Sequence, residues 1–307
     1  RQPRDLPIPC CQRIRKVTPW NAVDSATEGQ RLMTKHGFTE FYPPFSWDTV
    51  PVYQMFADAR LFTEQDVGVI AKTSDFICIE KQHGIGELGA GDLGAKHAIR
   101  QFKAVKPQMA CLVYLNSAYA YPFISRSKVF DYRTEINKPE NATCKSFLLT
   151  DPETEELAYR EGDHVLLFDV LNPDFRDWWV ETVGAFVRDA SGDGLFVDQM
   201  HGFAWLRPDR APEVAEAQAR MMRMAKQTIG RDKILLLNNA AHIPELFEIG
   251  DAFMFEHYNA ELTSKEKIVE DWALMKTIAT AGKISVWRIG VEHDGLYLNA
   301  APETKAG

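Results

Sequence analysis

Two carboxylic acids in this sequence each follow directly on a run of apolar residues. Asp198 ends the segment GLFVD, and Glu256 ends the segment AFMFE. An apolar setting raises the proton affinity of a carboxyl group, whereas a neighbouring cation or amide lowers it. Two carboxyl groups with different proton affinities can cleave a glycosidic bond, because one protonates the leaving oxygen while the other attacks or activates water. We therefore predict that Asp198 and Glu256 are the catalytic residues.

The two acids belong to a regular alternation of short apolar segments and longer amphipathic segments that starts near residue 50. The apolar segments predict seven strands, at residues 51–57, 76–80, 109–115, 194–198, 233–238, 252–256 and 284–288. Helix-start signals lie between them, namely Thr63 with Asp66, Asn172 before Pro173, and Ser264. This rhythm predicts an α/β fold, a (β/α)8 TIM barrel, rather than a doubly wound sheet. We expect the eighth strand to be irregular or missing, since residues 295–299 are the only candidate for it.

The rest of the chain is expected to extend or cover this barrel. Residues 1–50, rich in proline and aromatic residues, are predicted to be an N-terminal extension packed on the barrel, and residues 51–307 to be the catalytic barrel itself. Residues 116–163 form a long insertion with little periodicity between the third and fourth strands. Because a loop that follows a barrel strand lies over the catalytic face, we expect this insertion to border the active site.

Polar and aromatic residues follow the predicted strands at the ends that meet around one mouth of a barrel. We predict that the substrate is bound by Glu80, His83, Tyr114, Asn116, Gln199, His201, Asn238, Asn239, His257, Tyr258, Trp287 and Arg288. Further aromatic residues near the strand ends are Trp47, Tyr119, Tyr121 and Trp205. Amides could bind sugar hydroxyls, and rings could stack on the apolar face of a pyranose. For Arg288 an ion pair with Glu256 or Glu80 is an equally good interpretation.

Composition narrows the choice of partner. The net charge of −8 disfavours nucleic acid and anionic membranes, since an acidic surface repels both. Cys78 and Cys111 lie in apolar runs and are interpreted as small buried side chains, and the histidines are scattered singly, so we expect neither a metal nor a cofactor. The expected partner is an oligosaccharide or polysaccharide, and the expected setting is secreted or periplasmic. The oligomeric state is left open.

The segment LNPDFRDWWVETVGAFVRDASGDGLFVDQ, residues 171–199, resembles the centre of TIM-barrel glycoside hydrolases. It is similar to the glycosidase-like families related to endo-α-1,4-galactosaminidase and, more remotely, to the α-galactosidase-type barrels, and the resemblance covers residues 160–260. It implies that Asp198 is the nucleophile of a retaining hydrolase and Glu256 its general acid and base. The sequence Asp-Gln-Met-His after the strand and the insertion at 116–163 depart from the family pattern. Carboxyl groups about 5 to 5.5 Å apart would favour retention, and a spacing of about 6.5 to 9.5 Å would favour inversion.

Three other interpretations stay open. The segment GIGELG, residues 84–89, matches the G-x-G-x-x-G pattern of a dinucleotide-binding oxidoreductase after a predicted strand. However, the surrounding run is long and rich in glycine, and the next strand is followed by Asn116 and Ser117 rather than by an acid for the ribose, so a flexible loop is the preferred interpretation. The same face could also bind a glycan without cleaving it, or could act as a metal-dependent hydrolase.

Overall fold

The computed structural model describes residues 41–44, 46, 48–151, 154–258 and 264–289. Its main sheet has seven parallel strands: β1 Tyr53–Phe56, β2 Phe76–Ile79, β3 Ala110–Asn116, β4 Gly194–Asp198, β5 Ile234–Asn238, β6 Ala252–Tyr258 and β7 Ile284–Ile289. The strands lie in the sheet in the same order as in the chain. A doubly wound sheet reverses its strand order, so this order is that of a nearly closed TIM barrel. All seven predicted strands are confirmed, whereas the candidate eighth strand lies outside the described residues.

The strands are apolar along their whole length because both of their faces are buried. On each strand, every second side chain points into the barrel. Together these side chains form one cluster that fills the interior, and a few residues before β1 pack against it. The cluster includes Phe76, Cys78, Leu112, Tyr114, Phe196, Leu236, Met254 and Val286. The residues between them, such as Ile77, Val113 and Leu195, pack against the surrounding helices. Cys78 and Cys111 are buried free thiols, as predicted.

Eight α-helices are described: α1 Glu64–Thr73, α2 Ile85–Leu88, α3 Gly91–Val105, α4 Ala142–Lys145, α5 Pro173–Ala190, α6 Ala211–Ile229, α7 Pro244–Ile249 and α8 Lys265–Thr280. The predicted start signals are confirmed. Thr63 and Asp66 form a capping box at α1, and the side chains of Asn172 and Ser264 accept hydrogen bonds from the first turns of α5 and α8. None of the described helices is long and apolar enough to cross a bilayer.

The insertion after β3 is a packed unit rather than an irregular loop. It contains two 3-10 helices, Ser125–Phe130 and Pro139–Asn141, the helix α4, and an antiparallel hairpin of Tyr159–Arg160 with Val165–Leu166. Phe130 and Ile136 are almost fully buried, and the Phe130 ring packs against Trp178 of α5. The hairpin continues past the predicted end of the insertion at residue 163, because the turn at Gly162 joins two strands that belong together. The insertion is therefore able to hold side chains in fixed positions beside the barrel.

The glycine-rich segment after β2 has a packing role. If Gly91 carried a Cβ atom, that atom would lie 2.0 Å from the carbonyl oxygen of Lys81. A Cβ atom on Gly94 would lie 1.8 Å from the carbonyl oxygen of His83. Only glycine lets the start of α3 approach the turn after β2 this closely. Within the G-x-G-x-x-G pattern itself, Gly84 and Gly89 have φ angles of 68° and 76°, in the left-handed region that favours glycine, so the turns on either side of α2 account for these two glycines.

Candidate active site

The alternation of inward-facing and outward-facing side chains along the strands determines which residues lie at the mouth of the barrel. Side chains two residues apart on a strand face the same way, so the interior positions continue into the residues at the strand ends. In this register the interior-facing positions at the C-terminal ends are Glu80, Asn116, Asp198, Asn238, Glu256 and Arg288. Interior side chains deeper in the barrel are apolar, so the polar groups are confined to one end.

Asp198 is held by hydrogen bonds at both carboxylate oxygens. The Tyr114 hydroxyl donates to Oδ2 at 2.8 Å, and the Asn116 amide nitrogen lies 3.5 Å from the same oxygen. The Asn238 amide donates to Oδ1 at 3.0 Å, and the backbone N–H of Gln199 donates to it at 2.8 Å. Donors from two strands, β3 and β5, and from the turn after β4 thus fix the orientation of this carboxylate.

Glu256 is held in a similar way. The Asn238 amide donates to Oε2 at 2.6 Å, and Arg288 donates to Oε1 at 2.5 Å. The backbone N–H of Glu256 donates to the side-chain oxygen of Asn239 at 2.9 Å. The ion pair between Arg288 and Glu256 was one of the two roles predicted for this arginine, and it is confirmed.

Asn238 therefore joins the two acids. One nitrogen donates to Asp198 at 3.0 Å and to Glu256 at 2.6 Å, so these two carboxylate oxygens are at most about 5.6 Å apart. An amide nitrogen carries two hydrogens and can serve both acceptors at once. The acids, which are distant in sequence, share one donor at the mouth of the barrel.

A cation lies beside this pair. The ammonium of Lys81 is 3.0 Å from Glu80 and 4.8 Å from the centre of the Tyr114 ring. Burial lowers the pKa of Lys81, but the charge and hydrogen bond of Glu80 and the charges of Asp198 and Tyr121 together outweigh that effect, and the pKa is raised. Burial, together with the charge of Asp198, raises the pKa of Tyr114 well above its ordinary value, so the phenol keeps the proton that it donates to Asp198. Lys81 was missed among the predicted binding residues, although it stands next to Glu80.

The turn after β4 has a strained backbone, and hydrogen bonds from buried side chains stabilise it. Gln199 and Phe203 have φ angles of 63° and 58°, which non-glycine residues rarely adopt. The Ser117 hydroxyl lies 2.8 Å from the carbonyl oxygen of Asp198 and 2.9 Å from that of Gln199, and the buried Gln218 donates to Ser117 at 2.9 Å. Ser117 and Gln218 were not predicted, because the sequence does not show that α6 packs beneath this turn.

The strained turn presents two rings at the mouth. The imidazole of His201 contacts the side chain of Gln199 and accepts a hydrogen bond from the backbone of Phe203 at Nδ1, at 3.1 Å. The centre of its ring is 4.1 Å from that of Trp205, whose side chain is 60% exposed. Burial lowers the pKa of His201 to about 4, so the imidazole is neutral near pH 7. A neutral imidazole beside an exposed indole forms a surface on which a sugar ring could stack.

The insertion supplies a second side of the mouth. The guanidinium of Arg160 lies 4.7 Å from the centre of the Tyr119 ring and 5.5 Å from that of Tyr121, and it donates to the Tyr121 hydroxyl at 3.0 Å. Burial raises the pKa of Tyr121, the charges of Arg160 and Lys81 act against this, and the charge of Asp198 acts with it, so the phenol is within electrostatic reach of Asp198 and Lys81. Arg160 was not predicted, because its short hairpin has no recognisable periodicity.

Two predicted binding residues do not line the mouth. His83 is fully buried and its ring lies 4.3 Å from that of Phe62, because the turn after β2 directs it toward α1 and α3. Trp287 packs against Phe255 in the layer between strands and helices, since it alternates with the interior position Val286. Both predictions were wrong, because His83 is buried beside Phe62 and Trp287 is on the outer face of its strand. Of His257 and Tyr258 the structure describes the backbone at the end of β6 only, and Trp47 lies outside the described residues.

Within the described ranges, no group of three or more His, Cys, Asp and Glu side chains is arranged to hold a metal ion.

Comparisons with known structures agree with this architecture. Ega3 of Aspergillus fumigatus, solved in complex with galactosamine, has a TM-score of 0.51 and 12% identity over 86% of this chain and 88% of its own. The glycoside hydrolase domain of PelA from Pseudomonas aeruginosa has a TM-score of 0.50 and 13% identity over 76% of this chain and 81% of its own. At such identities the likeness shows the fold alone. No curated protein sequence matches the chain.

The sequence itself identifies the class. The chain is a TIM-barrel glycoside hydrolase, as the resemblance of residues 171–199 predicted. The chain belongs to hypothetical glycosyl hydrolase family 15, whose sequence model matches residues 103–294, more than half of its length.

Proposed function

We propose that this glycoside hydrolase cleaves an oligosaccharide or polysaccharide with retention of configuration, with Asp198 as nucleophile and Glu256 as general acid and base. The observation that carries the proposal is the Asn238 amide shared by the two acids. Its two hydrogen bonds limit the separation of the bound oxygens to about 5.6 Å, which is near the spacing of about 5 to 5.5 Å typical of retaining enzymes and below that of inverting enzymes.

In the first step Asp198 attacks the anomeric carbon while Glu256 donates a proton to the leaving oxygen. The bond from the anomeric carbon to that oxygen breaks as the bond to Asp198 forms. In the second step Glu256 takes a proton from water, whose oxygen displaces Asp198 from the anomeric carbon. Tyr114 and Asn238 hold the Asp198 carboxylate through both steps, so little reorganisation is needed during the reaction.

Arg288 has a defined place in this scheme. It occupies Oε1 of Glu256 in the structure, and 51% of its side chain is exposed. The leaving oxygen of a bound sugar takes the place of the guanidinium at Glu256, because an exposed arginine loses little when it turns into water. Glu256 then faces the bond to be cleaved.

The walls of the mouth suit a carbohydrate. Trp205 and His201 offer ring surfaces on one side, and Tyr119 and Tyr121 offer them on the other. Hydroxyl groups of a sugar can bind Gln199, Glu80 and Lys81, which lie between these walls at the strand ends. Galactosamine is the first sugar to test, because Ega3, which shares the fold, was solved with it.

The test is a panel of linear glycans, including galactosamine oligosaccharides, incubated with the purified chain and followed by reducing-end release. The anomer released first is then identified by proton NMR before it mutarotates. We expect cleavage of at least one glycan and an initial product with the configuration of the substrate bond. Inverted product would contradict the role of Asp198 as nucleophile, and absence of any cleavage would contradict the proposed function.

A further inference from the structure

Three aromatic side chains of the insertion form a second exposed surface, which we call the aromatic patch: Tyr132, Tyr159 and His164. The His164 ring centre lies 5.0 Å from that of Tyr159 and 5.5 Å from that of Tyr132, and the two tyrosine rings are 6.1 Å apart. Tyr132 is 40% exposed and Tyr159 is 43% exposed. Single exposed aromatic residues are common on protein surfaces, but contiguous apolar patches often mark interaction sites.

The backbone of the hairpin is strained to build this patch. His164 has a φ angle of 57°, and its N–H donates to the carbonyl oxygen of Arg160 at 3.1 Å. A left-handed conformation at a non-glycine residue costs free energy and persists where the surrounding structure requires it. Here it turns the imidazole onto the two tyrosines, which come from different segments of the insertion.

A cavity of about 270 Å³ opens beside the patch. Tyr132 and His164 line it, together with Pro122, Arg133 and Asp163. Small-molecule sites generally combine apolar walls with a few polar groups that fix orientation. Rings for stacking and charged groups for hydroxyls, in one shallow cavity, are what a sugar unit needs.

The cavity is connected to the candidate active site through named contacts. Asp163 on its wall pairs with Arg160. Arg160 in turn covers the rings of Tyr119 and Tyr121 at the mouth. These contacts join the wall of the cavity to the two tyrosine rings at the mouth.

We propose that the aromatic patch binds a unit of a linear glycan whose bond is cleaved at Asp198, so that the enzyme prefers long chains to short ones. This inference rests on the proposed function, and it adds a remote subsite formed by the insertion. A short oligosaccharide occupies the mouth alone, whereas a longer chain follows the surface past Tyr121 and Arg160 to Tyr132 and Tyr159.

The test uses the full chain with Glu256→Gln, which stops turnover, on an array of linear oligosaccharides from disaccharide to octasaccharide, including galactosamine, glucose and N-acetylglucosamine series. The same background is prepared with Tyr132→Ala and Tyr159→Ala together. We expect the parent to favour the longer members of at least one series, and the alanine variant to lose about tenfold in affinity for those members with no change for the disaccharide.

Two controls separate stacking from folding. Tyr132→Phe with Tyr159→Phe keeps both rings and should keep the preference for long chains. Trp272→Ala removes an aromatic side chain that is 59% exposed on α8, and it should change nothing. Binding without a length preference, a preference that survives the alanine changes, or no binding in any series would overturn the inference. Reducing-end release by the wild-type chain on the same oligosaccharides shows independently whether the proposed function holds.

Discussion

The amide nitrogen of Asn238 lies 2.6 Å from Oε2 of Glu256. The same nitrogen donates to Asp198, so this one side chain sets the separation of the two acids. Asn238 is buried, and neither Tyr114 nor Arg288 bonds to both acids in the described structure. The proposed mechanism therefore depends on a residue that performs no chemistry itself.

Replacing Asn238 by leucine should lower kcat by about 10² to 10³, the usual effect of losing one preorganised donor in an active site. Leucine has nearly the same size but donates to neither carboxylate. The measurement is steady-state kinetics on the best glycan of the panel. Thermal unfolding of the variant is the control: a loss of activity explained fully by unfolding, or an unchanged kcat, would argue against the bridging role.

Tyr114→Phe removes the hydroxyl that donates to Asp198 at 2.8 Å but keeps the ring, which stacks on Phe196 and lies under Lys81. A hydrogen bond to a charged group contributes about 1.5 to 3 kcal/mol, so kcat/KM should fall about ten- to a hundredfold. Tyr53→Phe is the matched control, because Tyr53 also belongs to the barrel interior but pairs with the first residue of β2. Equal losses in the two variants would show a general packing effect rather than a role at Asp198.

Trp205→Ala should raise KM for oligosaccharides about tenfold and leave kcat within about twofold, because an exposed stacking ring binds the substrate before and during the reaction alike. Trp205→Phe keeps a ring beside His201 and should recover most of the affinity. A fall in kcat with unchanged KM would instead connect the indole with the chemical step.

The buried side chain of His83 should make the free energy of unfolding depend on pH. Burial lowers its pKa below the ordinary value of 6.5, and Asp58, Arg60, Glu87 and His97 are the charged or titratable groups around it. Below about pH 6.5 the unfolded chain binds a proton that folded His83 does not bind, so the free energy of unfolding falls as the pH is lowered. His201, whose pKa is about 4, acts in the same direction down to that pH.

His83→Leu should therefore reduce the loss of stability between about pH 6.5 and pH 4.5, as measured by denaturant unfolding at several pH values. His242→Leu removes an exposed histidine that is not among the groups around His83, and it is the control. An unchanged pH slope in His83→Leu would mean that other groups cause the acid sensitivity.

The fold was predictable because each strand is an apolar run, and the acids were found because each ends such a run. A position at a strand end does not by itself define which way a side chain points. The prediction for Trp287 was wrong because Trp287 follows Val286, which faces the interior, and therefore faces outward. Alternation along β7 would have excluded it. His83 lies in a turn, where no such pattern exists.

The insertion was the least predictable part. Tyr159 and Arg160 are positioned by a two-residue pairing that leaves no periodic signal, and Tyr132 contacts His164 from a different segment of the insertion. Lys81 and Ser117 stand beside predicted residues, but their roles depend on contacts with Glu80 and with Gln218 of α6. Contacts between distant segments cannot be derived from spacing along the chain.

The most direct test of the account compares the wild-type chain with Asp198→Asn and Glu256→Gln on the same glycan. Reducing-end release measures turnover, and calorimetry measures binding. The account predicts that each variant loses turnover by about a thousandfold or more while its affinity for the glycan stays within about tenfold of wild type. If either variant cleaved the glycan at the wild-type rate, the two acids joined by Asn238 would not be the catalytic pair.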